Sequence, residues 1–366
     1  MNNSSDIAVE VVDLGKNYGP VKALNSVSFS IDSGQYYAFL GPSGGGKTTL
    51  LRLIGGFIQP TAGRVLLHGQ DVSHLPPNQR PTSMVFQSYA LFPHMNVERN
   101  VAYGLKLRKM PRNEMREKVD WMLSMVGLDG YNERMPHELS GGQQQRVQLA
   151  RSLVLDVDIL LLDEPLAALD AKLRKDMCLE LKRIQDKVGI TFIHVTHNQE
   201  EALTVADRIA IIADGDLIEQ GTAREIYEAP QKRFTAGFIG DSNLLEGIVA
   251  GISGERVTVD LDYAKVDIAA PSTTAAAGDA VSFSVRSELL RVVDPDQAAN
   301  GAWQTVPATY LETIYLGLTT SHLVRLPDGT EVAARMMSDE QANGQLDAGQ
   351  AVTVGWPTDL ARLHVA

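Results

Sequence analysis

The sequence has 366 residues, of which 44% are hydrophobic and 21% are charged. This length favours two domains, and this composition excludes an intrinsically disordered chain. The single cysteine, Cys178, excludes an internal disulfide and is typical of a reducing compartment.

Charge is distributed unevenly along the chain. The net charge is −12, and the stretch from Asp241 onward carries 17 acidic and 7 basic residues, which leaves −2 for the first 240 residues. Nucleic-acid binding needs clustered Lys and Arg, so this acidity argues against a nucleic-acid partner. The sequence also lacks a run of 18 apolar residues and a secretory leader, so we expect that it does not cross a membrane.

The first 240 residues alternate apolar, strand-like runs with helical patterns. This alternation predicts an α/β domain with a mixed, largely parallel sheet. The clearest strands are residues 36–40, 159–162 and 190–195, and a later hairpin has its turn at Asp214–Gly215.

The octapeptide GPSGGGKT, residues 41–48, matches the phosphate-loop pattern G-x-x-x-x-G-K-[ST]. An apolar strand precedes it and a helical segment follows, so a chance glycine-rich turn is a poor alternative. The glycines let backbone N–H groups face phosphate oxygens, Lys47 reaches the β- and γ-phosphates, and the Thr48 hydroxyl binds Mg²⁺. The residues predicted to bind ATP here are Gly41, Ser43, Gly44, Gly45, Gly46, Lys47, Thr48 and Thr49.

A second glycine-rich turn, Ser140-Gly141-Gly142-Gln143, precedes a strongly helical stretch. Ser140 is a good N-cap, and the two glycines expose N–H donors at a helix start, where anions bind. Taken alone, the pattern is equally that of an ordinary capped helix. Because one phosphate loop already holds the nucleotide, the sharper interpretation is that these four residues bind the ATP of a second copy.

An apolar run ends in two carboxylates, Asp163 and Glu164. Such a pair suits metal-assisted hydrolysis, in which Asp163 holds Mg²⁺ directly or through water and Glu164 polarises the attacking water. Adjacent acids at a strand end are common at surfaces, so the pair is informative only because a phosphate loop lies upstream.

With these motifs in this order, the sequence resembles the ATP-binding-cassette (ABC) ATPases over essentially its whole length. The resemblance implies that Tyr18 stacks on adenine, that Gln87 senses the γ-phosphate and Mg²⁺, and that His197 contacts the γ-phosphate. It also assigns Asp170 to communication between two copies. The implied catalytic residues are Glu164 and His197, and the implied Mg²⁺ ligands are Thr48, Gln87 and Asp163.

Two positions depart from the commonest pattern of this family. Ala167 stands where serine is frequent, and Asn198 follows His197 where aspartate is usual. Neither departure removes a catalytic group, so ATP hydrolysis is still expected.

From about Asn243 the pattern changes to short alternating strands separated by Gly, Pro and Asp. It predicts a small antiparallel barrel or sandwich, with strands in 256–261, 280–286, 320–326 and 351–356. The composition of residues 270–279 indicates a loop.

The resemblance also predicts the domain organisation. Residues 1–240 form the nucleotide-binding domain, an α/β P-loop fold with a helical subdomain at about 88–155. Residues 241–366 form an OB-like regulatory barrel of the TOBE type. That barrel usually carries Arg-Pro-Glu where this chain has Arg286-Ser287-Glu288.

The segment after Gln87 resembles that of importer ATPases, in which it grips the channel subunit. Its apolar residues, Tyr89, Leu91, Phe92 and Met95, are alternatively ordinary core residues. The sequence is most similar to polyamine importers, with sugar, glycerol-conjugate and ferric-iron importers as alternatives, because the ATPase does not touch the cargo. The single cassette and the acidic C-terminal part disfavour a soluble ATPase acting on ribosomes or DNA, and the extra barrel disfavours an exporter.

An importer subunit of this kind implies a defined set of partners and cofactors. We expect a second copy of the chain, two transmembrane permease subunits and, through them, a periplasmic or surface solute-binding protein. The chain would lie as a peripheral protein at the cytoplasmic face of the inner (plasma) membrane. Its expected cofactors are ATP and Mg²⁺.

Overall fold

A computed structural model describes residues 6–87, 91–270, 274–293, 303–338 and 346–365. The chain divides into two compact units, one ending at Arg224 and the other beginning at Glu225. The boundary predicted at 240/241 and the subdomain at 88–155 stay predictions. Tyr89, assigned above to a segment that grips a channel subunit, lies outside the described residues.

The described part of the first unit contains ten strands. They are β1 (Ile7–Tyr18), β2 (Val21–Asp32), β3 (Tyr36–Leu40), β4 (Ala62–Leu67), β5 (Gln70–Asp71), β6 (Thr82–Val85), β7 (Ile159–Asp163), β8 (Thr191–Thr196), β9 (Arg208–Ala213) and β10 (Asp216–Thr222).

The central sheet of this unit has the strand order β10-β9-β3-β8-β7-β6 and is parallel except for β9 with β10. Strands β3, β7 and β8 are buried at every position, because a parallel sheet is covered on both faces. The predicted strands are confirmed. So is the hairpin, whose turn residues Asp214 and Gly215 have φ of 51° and 83°, the left-handed values of a two-residue hairpin turn.

A second sheet, with the order β2-β1-β4-β5, is antiparallel and was absent from the sequence prediction. Strand β1 contains register shifts, one of them between Val11 and Leu14, and Asp13 there has a φ of 46°. Each bulge interrupts the alternation of buried and exposed residues, so the pattern of a half-buried strand is lost from the sequence.

The described residues form eight α-helices, several of which begin at loops of the candidate site. They are α1 (Lys47–Ile54), α2 (Val97–Leu107), α3 (Arg112–Met125), α4 (Gly141–Leu153), α5 (Ala171–Val188), α6 (Gln199–Val205), α7 (Ala223–Glu228) and, in the second unit, α8 (Arg233–Phe238). Helices α2, α3 and α4 pack against one another. No helix among the described residues has both the length and the apolar character needed to span a membrane.

The far end of α1 is anchored by the buried side chain of Arg80. Its guanidinium donates to the carbonyl oxygens of Leu53 and Ile54, each at 2.8 Å, and to that of Leu75 at 2.9 Å. The last carbonyls of a helix have no partner within the helix, so Arg80 satisfies groups that burial would otherwise leave unpaired. Because α1 begins at Lys47, this anchor holds the helix that carries the predicted phosphate-binding lysine.

The described part of the second unit contains ten further strands. They are β11 (Ser242–Ser253), β12 (Arg256–Asp260), β13 (Lys265–Ala269), β14 (Ala280–Arg286), β15 (Arg291–Val293), β16 (Trp303–Tyr315), β17 (Thr319–Arg325), β18 (Glu331–Met337), β19 (Ala351–Pro357) and β20 (Arg362–Val365).

These strands form two antiparallel sheets, with the orders β13-β12-β11-β14-β20 and β15-β19-β16-β17-β18. Side chains from both sheets share one core, in which the rings of Phe283 and Trp356 lie 5.8 Å apart. The predicted antiparallel β domain is therefore confirmed, with a single core for the two sheets.

Ser287, which stands where related barrels usually have proline, makes a backbone hydrogen bond. The backbone N–H of Ser287 donates to the carbonyl oxygen of Asp241 at 2.9 Å, a bond that the usual proline could not make. On one side of it the Arg286 guanidinium packs over the ring of Tyr227, and on the other Glu288 accepts a hydrogen bond from the Tyr227 hydroxyl at 2.7 Å.

Candidate active site

The predicted phosphate loop connects the end of β3 to the start of α1, and two of its glycines are required by close backbone contacts. A Cβ at Gly41 would lie 1.9 Å from the carbonyl oxygen of Ile212. Gly46, the N-cap of α1, has a φ of 105°, and a Cβ there would lie 2.6 Å from the carbonyl oxygen of Ala23. Any side chain at either position would displace the backbone of a neighbouring segment.

Lys47, the first residue of α1, is buried against the loop that precedes it. Its Nζ donates to the carbonyl oxygens of Gly41 and Pro42 at 2.8 and 2.7 Å. Burial lowers the pKa of the Lys47 ammonium, and the carboxylates of Glu164 and Asp163 oppose that shift. The sequence prediction placed a phosphate-binding cation here, and the structure aims a buried ammonium back along the glycine-rich loop.

Thr48 and Asp163 bring two oxygen ligands together at the end of β7. The Thr48 hydroxyl donates to Oδ1 of Asp163 at 3.0 Å, and a guanidinium nitrogen of Arg52 lies 3.8 Å from Oδ2. Burial raises the pKa of the Asp163 carboxyl, whereas the Thr48 hydrogen bond lowers it. A hydroxyl and a carboxylate are the hard oxygen ligands that Mg²⁺ prefers, so this donor set fits the predicted metal.

Glu164 is the meeting point of three segments that are far apart in the sequence. Its Oε2 accepts a hydrogen bond from Gln87 Nε2 at 3.3 Å and lies 3.3 Å from His197 Nδ1. Gln87 follows β6, Glu164 follows β7 and His197 follows β8, which are neighbours in the sheet. Parallel neighbours end at the same edge, where ligands bind in open α/β sheets.

The backbone at Glu164 adopts an uncommon conformation. Its φ is 47°, a left-handed value that is rare for a residue with a long side chain. Its N–H donates to the carbonyl oxygen of Val195 at 3.0 Å, which attaches this residue to the neighbouring strand β8. The side chain is 22% exposed, so water can reach the carboxylate while the neighbouring strands hold it.

The second glycine-rich turn caps α4 as predicted. The Ser140 hydroxyl accepts a hydrogen bond from the N–H of Gln143 at 3.4 Å, and the Gln143 side chain accepts one from the N–H of Ser140 at 3.0 Å. Ser140 is exposed and Gly142 is buried, with its Cα hydrogen facing Leu173 and Met177 on α5. Among the described residues, no hydrogen bond or ion pair joins this turn to Lys47 or Glu164 of the same chain.

Tyr18 and Asp170 lie outside the cluster around Glu164. Tyr18 ends β1, has 49% of its surface exposed, and has the Lys16 ammonium 5.1 Å from its ring centre. Asp170 is exposed and caps α5 by accepting a hydrogen bond from the N–H of Leu173 at 3.0 Å. Both side chains are therefore exposed and available to contact a ligand or another chain.

The departure at Asn198 leaves the local structure intact, because its side chain caps α6 by accepting from the N–H of Glu201 at 3.1 Å. Sequence reasoning missed Glu201 itself, a carboxylate that is only 4% exposed and lies four residues after His197. The Asn-x-x-Glu spacing is a helix-start signal, but it does not predict burial of the carboxylate. Nothing in the structure explains why residue 167 is alanine instead of the more frequent serine.

Comparison with known proteins identifies the family. A family model described as "ABC transporter" matches residues 24–167, and one described as "TOBE domain" matches residues 283–363. The "Spermidine/putrescine import ATP-binding protein PotA" of Rubrobacter xylanophilus is 45% identical over 352 residues, which are 96% of this chain and 92% of the relative. The chain belongs to the ATP-binding-cassette ATPases of importers.

Other members of the ABC ATPases agree with this identification. The PotA protein of Marinobacter nauticus is 45% identical over 346 residues, or 94% of this chain and 91% of the relative. Among solved structures, one titled as the dimeric post-hydrolysis state of the ATP-binding cassette MJ0796 bound to ADP and Pi matches with a TM-score of 0.52 and 31% identity. It covers 59% of this chain and 99% of the cassette.

Proposed function

We propose that this ABC ATPase hydrolyses ATP to drive the uptake of spermidine or putrescine by a bacterial importer. The observation that carries the catalytic part is the position of Glu164, held between Gln87 and His197 at the edge where β6, β7 and β8 end. The choice of a polyamine is supported by the names of relatives that align over nearly the whole chain.

Within this proposal, each residue acts through contacts that the fold supports. Backbone N–H groups of residues 41–49 and the Lys47 ammonium bind the β- and γ-phosphates, and Tyr18 stacks on adenine. Glu164 accepts a proton from the attacking water and orients it. His197, adjacent to Glu164, contacts the γ-phosphate and fixes the carboxylate from the opposite side to Gln87.

The proposed metal site consists of Thr48 and Asp163, with Gln87 as a third ligand. When bound, Mg²⁺ supplies charge neutralisation at the β- and γ-phosphate oxygens. Burial of the Asp163 carboxyl disfavours its charge, so a cation at this position compensates a cost that the fold imposes.

Two copies of the chain are proposed to close over the nucleotide. Ser140, Gly141, Gly142 and Gln143 bind the γ-phosphate in trans, and Asp170 communicates between the copies. The exposed, capped start of α4 supports this role, because helix N-termini bind anions and this one has no partner in its own phosphate loop among the described residues. The dimeric cassette with ADP and Pi supports the same assembly.

The remaining partners are proposed to be two permease subunits and, through them, a solute-binding protein, with the chain peripheral at the cytoplasmic face of the membrane. Beside Gln87, the rings of Phe57 and Phe86 meet edge to face at 5.6 Å and stay 43% and 37% exposed. Exposed paired aromatics are typical of interfaces, so this pair is a candidate contact for a permease.

Phe92 and Met95 are hydrogen-bonded to Asn100, whose side chain is fully buried on α2. Its side-chain oxygen accepts from the N–H of Phe92 at 2.8 Å, and its amide donates to the carbonyl oxygen of Met95 at 2.9 Å. Residues 92–95 are thereby fixed to α2, which supports the proposed coupling of this region to a bound permease.

Uptake into proteoliposomes tests the proposal. The chain is reconstituted with its two permeases and solute-binding protein, and ATP-dependent accumulation of labelled spermidine and putrescine is measured beside a labelled sugar, glycerol phosphate and ferric iron. We expect spermidine or putrescine alone to accumulate. Accumulation of another solute would show that the cargo is not a polyamine, but would still support an importer. The relatives do not favour the ribosome- or DNA-acting alternative, and failure of the chain to co-purify with any membrane protein would revive it.

A further inference from the structure

A buried network lies directly behind the loop that carries His197. The Thr196 hydroxyl accepts a hydrogen bond from the N–H of Asn198 at 2.9 Å and donates to Oε2 of Glu201 at 2.6 Å. The Asn198 side chain in turn accepts from the N–H of Glu201 at 3.1 Å. The residues on both sides of His197 are thus tied to Glu201, while the His197 side chain itself is 55% exposed.

The other oxygen of the same carboxylate faces a different segment. Oε1 of Glu201 lies 3.4 Å from Nε of Arg174 on α5. A second nitrogen of the Arg174 guanidinium donates to the carbonyl oxygen of Leu169 at 2.7 Å, and the Arg174 N–H donates to the carbonyl oxygen of Asp170 at 2.8 Å. Arg174 is therefore attached to the turn that carries Asp170.

A simple ion pair does not account for this arrangement. Apolar side chains fill a buried position at least as well as a charged pair, and a buried pair is weak evidence for stability. Here one oxygen of the Glu201 carboxylate accepts from Thr196 at the end of β8, and the other faces Arg174 on α5, whose guanidinium also reaches the carbonyl oxygen of Leu169. The contact with Glu201 is an ion pair without a hydrogen bond, and the planar guanidinium places one nitrogen beside the carboxylate while another donates to Leu169.

We propose that Glu201 and Arg174 are a positioning pair that couples the His197 loop to the turn of Asp170. The inference rests on the proposed function, in which Asp170 faces the second copy and His197 contacts Glu164. Approach of the partner at Asp170 is then transmitted through Leu169, Arg174 and Glu201 to the loop that sets His197 against the catalytic carboxylate. Neither member of the pair is among the residues assigned to ATP.

The pair is expected to affect turnover and leave nucleotide binding unchanged. In Arg174→Met and Glu201→Gln, kcat should fall about ten-fold, the size of effect typical of coupling residues, while KM and the Kd for a fluorescent ATP analogue stay within about two-fold. Arg183→Met is the matched control, because Arg183 lies on the same helix, its side chain is 70% exposed and its ion pair is with Glu180 of that helix.

Arg174→Lys separates positioning from charge neutralisation. Lysine keeps the positive charge beside Glu201 but cannot reach the carboxylate and the Leu169 carbonyl together. Arg174→Met leaves the buried Glu201 carboxylate without its ion-pair partner, so we expect a lower melting temperature. Arg174→Lys should restore the melting temperature but not kcat. Recovery of wild-type kcat in Arg174→Lys would show that a positive charge beside Glu201 is sufficient and would overturn the coupling.

The outcomes also separate this inference from the proposed function. If the wild-type chain and Arg183→Met both hydrolyse ATP, unchanged kcat in Arg174→Met and Glu201→Gln overturns the positioning pair alone. If every variant at both positions loses nucleotide binding, the pair supports only the fold and the inference is wrong. Absence of ATPase activity in the wild-type chain overturns the proposed function and the inference with it.

Discussion

Nδ1 of His197 lies 3.3 Å from Oε2 of Glu164, although 33 positions separate the two residues in the sequence. Gln87 Nε2 donates to the same oxygen. A carboxylate held from two sides, with 22% of its surface open to solvent, keeps one geometry in which it can orient water. This relationship makes Glu164 the position whose chemistry can be tested most directly.

Glu164→Gln is expected to separate binding from hydrolysis. The amide keeps the shape and the contacts to Gln87 and His197 but cannot accept a proton from water. Turnover should fall by about 10²–10⁴-fold, the usual contribution of a general base, while ATP still binds. Steady-state phosphate release and nucleotide titration measure the two effects. Glu117→Gln, at an exposed position on α3, is the control, and normal hydrolysis by Glu164→Gln would remove Glu164 from the mechanism.

Lys47→Ala is expected to abolish tight binding or turnover of MgATP. The substitution removes the buried ammonium that lies along the phosphate loop, and no other cation occupies that position among the described residues. Binding of a fluorescent ATP analogue and phosphate release provide the measurements. Lys187→Ala, which alters an exposed lysine at the end of α5, should behave as wild type. ATPase activity at the wild-type rate in Lys47→Ala would contradict the assignment of the phosphate loop.

A mixed dimer tests whether the site is shared between two chains. Lys47→Ala and Ser140→Arg are each expected to be inactive alone, because every composite site then lacks either the phosphate-loop lysine or the capped turn. In the mixed dimer one site carries both defects and the other carries neither. Some ATPase activity should therefore return when the two variants are combined.

Cross-linking establishes that mixed dimers form in that experiment. If they form and activity stays at zero, either the site is not shared or both sites must be intact. A dimer of one intact chain with one Lys47→Ala chain decides between these explanations. Both kinds of mixed dimer contain one intact composite site. Activity in the dimer with an intact chain, but not in the dimer of Lys47→Ala with Ser140→Arg, would therefore contradict the shared site.

His194 is expected to make the first unit sensitive to acid. Burial lowers the pKa of this imidazole to about 3, although Oε2 of Glu201 lies 3.6 Å from Nε2, and Nδ1 pairs with the Tyr36 hydroxyl at 3.0 Å. The unfolded chain takes up the proton near pH 6.5, whereas the folded chain does not. The contribution of His194 to the free energy of unfolding is therefore fully present above pH 6.5 and is lost as the pH falls toward 3.

Urea unfolding at pH 7 and pH 5 measures this effect. At pH 5 the His194 contribution to the loss should be on the order of 2 kcal/mol. His194→Gln keeps hydrogen-bonding capacity without the titration and should show a smaller difference between the two pH values. His137→Gln, at an exposed position, should leave the difference unchanged. An equal pH dependence in wild type and His194→Gln would show that the imidazole titrates alike in the folded and unfolded states, and would contradict the prediction.

A chain that ends at Arg224, the last residue of the first unit, is expected to fold and to bind nucleotide. The first unit has its own hydrophobic cores, the second unit has another, and every residue assigned to ATP precedes residue 198. Circular dichroism, thermal unfolding and binding of the ATP analogue provide the test. Complete insolubility of the shortened chain would indicate that the second unit is needed for folding, and a soluble chain with altered ATPase activity would indicate regulation.

Local sequence patterns predicted the phosphate loop, the start of α4, the hairpin turn and the β-rich C-terminal part of this protein. The phosphate loop depends on consecutive residues between a strand and a helix, and the capped start of α4 depends on Ser140 and Gln143, three positions apart. The alternating β pattern after Asn243 and the hairpin turn at Asp214–Gly215 are local in the same sense. Interactions over a few residues leave a signal in the order of the amino acids, so these elements could be predicted before the fold was known.

Tertiary structure alone decided which distant residues meet. Gln87, Glu164 and His197 share one carboxylate oxygen because β6, β7 and β8 are neighbours in the sheet, and strand order depends on long-range pairing that no window of sequence contains. The same holds for the bulged antiparallel sheet of β1. Glu201 is an extreme case: in the sequence it resembles a solvated helix residue, and only the packing of α5 against α6 buries it beside Arg174.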